Sequence, residues 1–553
     1  MLKINLKKYT VGLMLLGLLT GCSEEFLDRP PLDRITDVQY YKTTDQVLMA
    51  TAPLYSGVWF GYNDKAAVGI GDGRGGTFFS PSYEMEHVRL ASSPTQESVN
   101  GAWQSFFNIV GQSNAVINNV NKFADPAVPE NIKLHAIGEA RFFRGLAYSY
   151  LVQTFGPVPL LEDNTKVLTD TSIARNTVES VWDFIIRDIR YASKVLPASP
   201  VQKSRLTKYS AQAMLSRMFL TRAGVGSNGT RRQSDLDSAA YYAKSVIDAN
   251  SFNMLPNYED LYLTKNNGNE ETVAALQWVY NGGSTYWGAQ NTQQAYMAYS
   301  SSITGFGDGW GGDHGATMDI LKSYEEGDKR RKATYMFPGD VYSYITEEVN
   351  DPNKPGAKIK RPLQVTTDNN GADAFKTRAN IKKYVVGRPE DNDGKVVQMG
   401  TEIQTYLMRY SEVLLIYAEA ILGNNASTAD AGALNAFNAV RVRAGVPAKT
   451  EITWEDIYRE RRVELAMEGQ SWYDIVRLHY YNPTLALDKL SKQDRGTYRI
   501  TPNAKVNATS WTIESVTPQF YSVNESSFFV PYPAAELSRA PNLRKEPVPY
   551  QFQ

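Results

Sequence analysis

Apolar side chains recur at intervals of three and four residues in two stretches of the chain, which is the spacing of one helix face. The first stretch predicts helices over residues 131–153, 177–196, 208–222 and 235–249. The second predicts helices over residues 405–422, 429–444 and 454–477. The pattern therefore predicts a mostly α-helical protein whose scaffold lies mainly in residues 131–250 and 405–480.

Several of these helices also carry the spacing of tetratricopeptide repeats, in which helix pairs stack into a solenoid. Ile185, Ile189, Ala192 and Pro197 have the spacing expected for the second helix of such a pair. The pattern is loose, so ordinary amphipathic helices also meet it by chance. We interpret the scaffold as an α-solenoid of helix pairs into which irregular sequence is inserted.

The irregular sequence is long and rich in Gly, Ser, Asn and aromatic residues at 55–100, 266–316 and 337–400. Long loops in a folded protein are usually functional or disordered, and the aromatic content argues against disorder. Binding residues are commonly placed on loops that a rigid scaffold holds. We therefore expect ligand-binding loops mainly in residues 55–100 and 266–400, followed by a C-terminal segment over 481–553.

The N-terminus has the pattern of a bacterial lipoprotein signal. Three lysines precede an apolar run at residues 11–19, which is too short to span a bilayer. Leu19-Thr20-Gly21-Cys22 has the form of a lipobox, which predicts a signal peptide over residues 1–21 and acylation of Cys22 by chains such as palmitate. Two or three such chains anchor a protein stably, at about 0.8 kcal/mol per buried CH₂. The alternative is an ordinary cleaved signal in which the cysteine is incidental.

Composition narrows the class of protein further. Cys22 is the only cysteine in 553 residues, so the mature chain has no disulfide and no cysteine-ligated metal. The formal net charge of −1 argues against nucleic acid as a partner, since nucleic acid requires a basic face. No later window is apolar for long enough to form a transmembrane helix. We expect a folded body that only a lipid anchor attaches to the membrane.

Two glycine-rich stretches, GDGRGG at 71–76 and GDGWGG at 307–312, fit the dinucleotide-binding pattern. A phosphate-binding loop needs a strand before the glycines and a helix directly after them. The first stretch runs into TFFSP, and no clear strand precedes the second. We interpret the glycines as bends that expose the side chains between them, namely Asp72, Arg74, Asp308 and Trp310.

Charged stretches give little sign of catalysis or of a metal. EDNDG at 390–394 lacks the ligand spacing of an EF-hand, so a loose structural calcium site is the only cofactor that we consider. The four histidines show no paired metal-binding spacing. The Arg/Glu-rich stretch at 460–477 could suggest acid–base chemistry, but its three- and four-residue spacing favours ion pairs that hold a helix in place.

Several motifs together resemble the SusD-like (RagB/SusD) family of outer-membrane nutrient-binding lipoproteins. They are Cys22 followed by FLD at 26–28, ARFFR at 140–144, FGPVPL at 155–160, YLMRYSEVLL at 406–415, NAVRVRAG at 438–445, ERRVEL at 460–465 and PYP at 531–533. The resemblance spans nearly the whole chain. Ala540 stands where the family usually has Asn, which we expect to affect only a local turn.

The resemblance implies one SusD-like domain over residues 22–553, built on four tetratricopeptide-like helix pairs. It implies a lipoprotein that is exposed on the cell surface at the outer membrane. Such a protein would sit on a TonB-dependent (SusC-like) transporter barrel and deliver glycan fragments to it. The resemblance implies no catalysis, and some family members bind peptides instead.

Sugar binding requires a flat aromatic face for C–H groups and polar side chains for hydroxyls. Two loop clusters offer both. The first contains Trp59, Tyr62, Asp72, Arg74 and Tyr83, and the second contains Tyr286, Trp287, Asn291 and Tyr296. We expect Trp287 and Tyr286 to be the main ligand contacts, because little apolar sequence surrounds them. For any single aromatic residue, packing in the core is an equally good interpretation.

Two further function classes stay open. A lipid-anchored glycoside hydrolase would need two carboxylates flanking one bond, at about 5 Å or 6.5–9.5 Å, and no motif identifies such a pair. An assembly adaptor would use the solenoid to bind other proteins, although the aromatic loops argue against that as the sole role. Product release would indicate a hydrolase, and barrel binding without any ligand would indicate an adaptor.

Overall fold

The computed structural model describes residues 37–165, 170, 172–280, 288–366, 379–502 and 511–552. The α-helices of nine or more residues in these ranges are α1 (Glu97–Phe123), α2 (Glu130–Phe155), α3 (Val178–Val195), α4 (Lys208–Arg222), α5 (Gln233–Asp248), α6 (Tyr410–Leu422), α7 (Ala431–Ala444), α8 (Trp454–Glu464), α9 (Ser471–His479) and α10 (Pro483–Ser491). Shorter α-helices cover Asp37–Tyr40, Thr44–Met49, Met85–Val88, Gln293–Met297, Ser301–Thr304, Met318–Ser323, Arg330–Thr334 and Ala534–Arg539. The prediction of a mostly helical fold is confirmed.

The long helices pack in chain order. Each helix from α1 to α6 contacts its successor, and α8 packs back against α6. Helices α5 and α6 contact each other, although residues 249–409 separate them in the sequence. The two predicted helical blocks therefore form one continuous stack. None of the helices among the described residues is both long and apolar enough to cross a bilayer.

Polar caps and glycine set the ends of these helices. Thr177, Thr207 and Thr453 each accept a hydrogen bond from the backbone N–H three residues later, at the start of α3, α4 and α8. Helix α7 ends at Gly445, whose φ of 84° lies in the left-handed region that glycine adopts without strain. These local signals explain why the helix bounds predicted from apolar periodicity lie within a few residues of the observed bounds of α3, α4 and α7.

The helix predicted over residues 405–422 begins with a strand instead. Thr405–Arg409 pairs antiparallel with Thr272–Leu276, and α6 starts only at Tyr410. The apolar pattern of the strand continues that of the helix, so periodicity alone did not separate them.

The helix predicted over residues 454–477 is divided into α8 and α9. Met467 and Gly469 have φ of 64° and 72°, which a continuous helix does not allow. Their backbone N–H groups donate to the carboxylate of Asp72 at 2.9 and 2.8 Å. A tertiary contact therefore stabilises this break.

The region predicted to be a loop at 55–100 contains a π-helix over Tyr62–Gly73, which packs against α1 and α9. A Cβ on Gly71 would overlap the backbone of Gly469, and a Cβ on Gly75 would lie 2.5 Å from Cβ of Ser471. The first glycine-rich stretch is thus a close-packed contact between this helix and the chain that leads into α9.

The described strands form two-stranded antiparallel pairs. They are β1 (Thr272–Leu276), β2 (Tyr335–Met336), β3 (Val341–Asn350), β4 (Lys358–Gln364), β5 (Asn380–Ile381), β6 (Thr405–Arg409), β7 (Ser427–Thr428), β8 (Ile452–Thr453), β9 (Thr497–Pro502) and β10 (Trp511–Thr517). The pairs are β1 with β6, β2 with β5, β3 with β4, β7 with β8, and β9 with β10.

Two main apolar cores follow from this arrangement. The larger core lies among α1 to α5 and includes the fully buried Trp59, Trp182 and Trp472. The second core gathers side chains from the inserts, among them Phe78 and Tyr335, and packs beside the helical stack. The inserts are therefore folded around a core of their own.

Buried ion pairs connect the helices with the inserts. Arg409, at the end of β6, donates to the carboxylates of Glu464 at 2.8 Å and Glu468 at 2.7 Å. Arg461 on α8 pairs with Asp474 on α9 at 2.9 Å. The charged stretch at 460–477 thus forms structural ion pairs, although these pairs join different elements and do not follow the three- and four-residue spacing of one helix.

Candidate functional site

Three aromatic side chains from two inserts, residues 55–100 and 266–316, meet at the surface of the second core. The ring centroids of Tyr83 and Tyr296 are 5.1 Å apart and their planes are inclined by 28°. Trp310 lies beside Tyr296, with centroids 5.7 Å apart and planes inclined by 53°. Trp310 is 47% exposed and Tyr83 is half-buried, so this aromatic platform (Tyr83, Tyr296 and Trp310) presents ring surface to solvent.

The second glycine-rich stretch places Trp310 at the surface. Gly309 has a φ of 96°, and a Cβ there would lie 2.6 Å from the backbone of Ser300. The N–H of Trp310 donates to the carbonyl of Ala295 at 2.8 Å, which holds the turn against the helix Gln293–Met297. The prediction that these glycines expose Trp310 is confirmed.

A hydrogen-bonded turn holds Tyr83. The hydroxyl of Ser80 accepts from the backbone N–H of Tyr83 at 2.8 Å. The next residue, Glu84, has a φ of 53°, and its carboxylate accepts from Gln96 at 3.2 Å and from the hydroxyl of Ser98. Burial raises the pKa of Glu84 to about 7. The left-handed backbone of Glu84, beside the platform, is therefore held by the hydrogen bonds that its own carboxylate accepts.

One acidic side chain of the π-helix lies at the edge of the platform. Asp64 accepts from the hydroxyl of Thr292 at 2.6 Å, and burial raises its pKa. The hydroxyl of Tyr83 reaches the backbone carbonyl of Asp64 at 3.4 Å. The neighbouring Lys65 pairs with Glu97 at 2.9 Å. Such groups can exchange hydrogen bonds with the hydroxyls of a sugar.

A second polar group supports the platform from below. The Nδ1 atom of His314 lies 2.7 Å from the backbone carbonyl of Tyr296, and its Nε2 atom lies 3.2 Å from the carboxylate of Asp313. Burial lowers the pKa of His314. Asp313 also accepts from the hydroxyl of Ser82 at 2.7 Å, which connects the chain segments that carry Tyr83 and Trp310.

Two of the predicted ligand residues lie at or beneath this surface. Tyr296 is the central ring of the platform and is 9% exposed. Asn291 is fully buried, and its amide donates to the carbonyl of Ile403 at 2.9 Å and to Thr405 at 3.2 Å. Asn291 therefore fastens its loop to β6 and does not face solvent.

Trp59 and Tyr62 lie in the larger core, so the expectation that they face a ligand on a loop is corrected. Trp59 is fully buried and donates from Nε1 to the carbonyl of Leu54 at 2.8 Å. Tyr62 is 5% exposed, and its hydroxyl lies 3.0 Å from that of Tyr473. Both rings pack against α1 and α2, because the segment that carries them is helical and not a loop.

The predicted exposure of Asp72, Arg74 and Asp308 is wrong. Each side chain is buried, and each has internal partners. The Asp72 carboxylate also accepts from the hydroxyl of Thr77 at 2.7 Å, and Asp308 accepts from the backbone N–H of Met399 at 2.7 Å. In these places glycine permits close packing of the chain, which buries the polar neighbour.

Three other predicted residues lie outside the described residues. They are the acylation site Cys22 and the aromatic pair Tyr286 and Trp287. The described chain resumes at Gly288, eight residues before Tyr296.

Sequence reasoning did not assemble the platform. It placed Tyr83 in one cluster and Tyr296 in another, and it considered Trp310 exposed without assigning it to a site. A tryptophan between glycines, as in GDGWGG, was the available signal, because a large apolar side chain in such a turn has little chain to pack against.

No group of three or more His, Cys, Asp or Glu side chains that could hold a metal occurs among the described residues. In the EDNDG stretch, Asp391 accepts from the backbone and hydroxyl of Thr346 at 2.9 and 2.7 Å. Glu390 pairs with Lys360 at 2.5 Å and with Arg388 at 3.0 Å. These carboxylates have internal partners, and the calcium site stays a prediction.

Two family models match the chain. The model described as the SusD family matches residues 245–548, which is more than half of the chain. The model described as starch-binding associating with outer membrane matches residues 25–220.

Relatives match nearly the full length. A SusD-like protein of Bacteroides ovatus is 37% identical, over 97% of this chain and 96% of the relative. A structure solved with xylogluco-oligosaccharide has 36% identity and a TM-score of 0.81, covering 92% of this chain and 99% of the other. A laminarin-binding SusD-like protein has 21% identity and a TM-score of 0.66, covering 90% and 98%, and shows likeness of fold.

Proposed function

The chain belongs to the SusD family, and on that premise we propose that it is a surface lipoprotein that binds a glycan at the aromatic platform. The observation that carries the proposal is the exposed ring of Trp310 beside Tyr296 and Tyr83, with carboxylates at its edge. Aromatic rings bury the C–H face of a sugar, and the polar groups orient its hydroxyls.

The platform is built to stay in place. The Gly309 turn fixes the backbone at Trp310, and the turn at Ser80 fixes the backbone at Tyr83, so little loop ordering is needed when a ligand stacks on these rings. We extend the proposed site to Trp287 and Tyr286, which the sequence singled out. The relatives solved with xylogluco-oligosaccharide or described as laminarin-binding support a glycan over a peptide as the ligand.

Affinity electrophoresis through gels that contain single polysaccharides tests the proposal. We expect one glycan to retard the chain Ser23–Gln553, and Trp310→Ala to weaken that binding about tenfold because a stacking face is lost. Tyr241→Ala is the matched control, since Tyr241 is 66% exposed and lies on α5, outside the platform. Equal retardation of the wild type and Trp310→Ala contradicts the assigned site.

The same gels separate binding from catalysis. The proposal is a non-catalytic protein, so the eluted glycan should contain no new reducing ends. New reducing ends would favour the hydrolase alternative, and absence of retardation by any glycan would favour a peptide ligand.

Delivery to a transporter completes the proposal. Through acyl chains on Cys22 the protein would be held at the outer membrane, where it passes its ligand to a TonB-dependent barrel. A local tether raises the effective concentration of captured glycan at the barrel, so modest affinity suffices. Isolation of the lipidated chain from outer membranes should recover such a barrel, whereas Cys22→Ala should abolish membrane attachment.

A further inference from the structure

Within the part of the chain that the structure describes, buried arginines are paired with carboxylates, with two exceptions. Of ten buried arginines among the described residues, eight have a carboxylate oxygen within 4.0 Å. Arg74 and Arg495 have no such partner among the described residues, although each is only 1% exposed. An unpaired charge in the interior is costly, so these two require an explanation.

Among the described residues, the two guanidinium groups donate hydrogen bonds only to neutral acceptors. Arg495 donates to the carbonyls of Gly73 at 2.7 Å and Arg74 at 2.6 Å. Arg74 donates to the hydroxyl of Ser92 at 2.8 Å and to the carbonyl of Ser527, and its Nε has no partner. Burial and the nearby Arg495 lower the pKa of Arg74 to about 9, so Arg74 is still charged at neutral pH. Neutral acceptors satisfy hydrogen bonds without cancelling this charge.

Arg74 forms part of the wall of a cleft. The cleft has a volume of about 580 Å³ and lies between residues 90–94, 155–157 and 526–532. Its lining contains a second cation, Arg175, together with the hydroxyl-bearing Ser92, Ser526 and Tyr532, and it contains no Asp or Glu. The cleft is therefore positively charged and has room for one or two sugar rings or a small acid.

Among the described residues, no carboxylate pairs with Arg74 from behind the cleft; its guanidinium lies over the ring of Trp472, 4.3 Å from the centroid. The nearest carboxylate on that side, Glu84, lies 3.6 Å from Nε2 of His87. Ser92, which contacts Arg74, is also 2.7 Å from Nδ1 of His87. Burial and the charge of Arg74 lower the pKa of His87 well below its usual value. Arg175 at the rim donates to neutral oxygens, the Tyr532 hydroxyl at 3.2 Å and the Lys545 carbonyl at 3.1 Å.

We propose that this cleft binds an oxyanion, a carboxylate or a sulfate group on a small acid or acidic sugar, between Arg74 and Arg175. The anion supplies the counter-charge that the protein lacks, through the charge-assisted hydrogen bonds that guanidinium groups form with such groups. Phe155 and Tyr532 give the cleft apolar walls on which a sugar ring can rest. The site is separate from the aromatic platform, since the two share no residue.

Calorimetry on the chain Ser23–Gln553 with sodium glucuronate, sodium sulfate and glucose as probes tests the proposal. We expect glucuronate or sulfate to bind and glucose not to bind at this site. Binding of glucuronate alone assigns a carboxylate ligand, and binding of both assigns a general oxyanion site. Absence of binding by both anions overturns the proposal, whatever the polysaccharide gels show for the platform.

Two variants and a control locate the binding. Arg175→Gln should weaken anion binding about tenfold. Ser92→Asp places a carboxylate beside Arg74, so it should abolish anion binding while the protein stays folded with an unchanged or higher Tm. Arg459→Gln, on α8 and outside the cleft, should bind as the wild type does. Unchanged anion affinity in folded Ser92→Asp and in Arg175→Gln overturns the assignment.

Discussion

Glu419 connects three separate parts of the helical stack, and its removal should weaken them together. Glu419 lies on α6 and accepts from Arg231, before α5, at 2.7 Å, and from both Nη atoms of Arg477 on α9, with Nη2 at 3.0 Å. All three side chains are buried. Glu419→Gln keeps the shape but removes the charge between two guanidinium groups. Such a loss in the interior costs about 3–5 kcal/mol of unfolding free energy.

The pKa of Glu419 gives an independent measure of how much its charge contributes to the free energy of unfolding. Burial alone would raise this pKa, but Arg477 and Arg231 outweigh burial and lower it from 4.5 to about 2. Because the folded-state pKa is depressed, the stabilisation is complete above about pH 5 and is lost as pH falls toward 2. The difference corresponds to about 3 kcal/mol at neutral pH and to roughly half as much at about pH 3.

Urea unfolding at about pH 7 and about pH 3 measures both values. Glu419→Gln should destabilise the protein by about 3 kcal/mol at the higher pH and by roughly half as much at the lower pH. Glu455→Gln is the control, because Glu455 is 64% exposed and its pair with Lys489 contributes at most about 1 kcal/mol. A loss below about 1 kcal/mol, or a loss independent of pH, refutes the reasoning.

Other predictions test the packing. Gly71→Ala forces a Cβ into the backbone of Gly469 and should cost about 1–3 kcal/mol, seen as a lower Tm, whereas Gly57→Ala meets only an ordinary contact at 3.4 Å and should cost less. Trp59→Ala should cost about 3–5 kcal/mol in urea unfolding, because the ring is fully buried. Similar Tm values for the two glycine variants, or a Trp59→Ala cost below about 1 kcal/mol, would contradict these assignments.

Apolar periodicity was sufficient to predict the helical scaffold. It was insufficient to predict the elements whose conformation depends on tertiary contacts. The helix predicted at 177–196 is present as α3, because a threonine cap and a regular apolar face act locally. The strand Thr405–Arg409 depends on pairing with β1, more than 100 residues earlier, and the break before α9 depends on Asp72. A local sequence pattern contains no information about partners that are this distant in the sequence.

The aromatic residues show the same limit. Trp59 and Trp310 both lie in glycine-containing, aromatic-rich sequence, yet one is fully buried and the other is 47% exposed. Composition identifies segments that carry rings, but packing decides which rings become core: the short helix Gly57–Trp59 packs against α1 and buries Trp59. The platform joins residues 83, 296 and 310, and their proximity follows from the folding of the inserts.

The most direct test of the central claim compares the wild type, Trp310→Ala and Tyr241→Ala on one polysaccharide gel panel. The account predicts that one glycan retards the wild type and Tyr241→Ala, that Trp310→Ala binds about tenfold more weakly, and that its unfolding free energy changes by less than about 0.5 kcal/mol. Full retardation of a folded Trp310→Ala variant would contradict it.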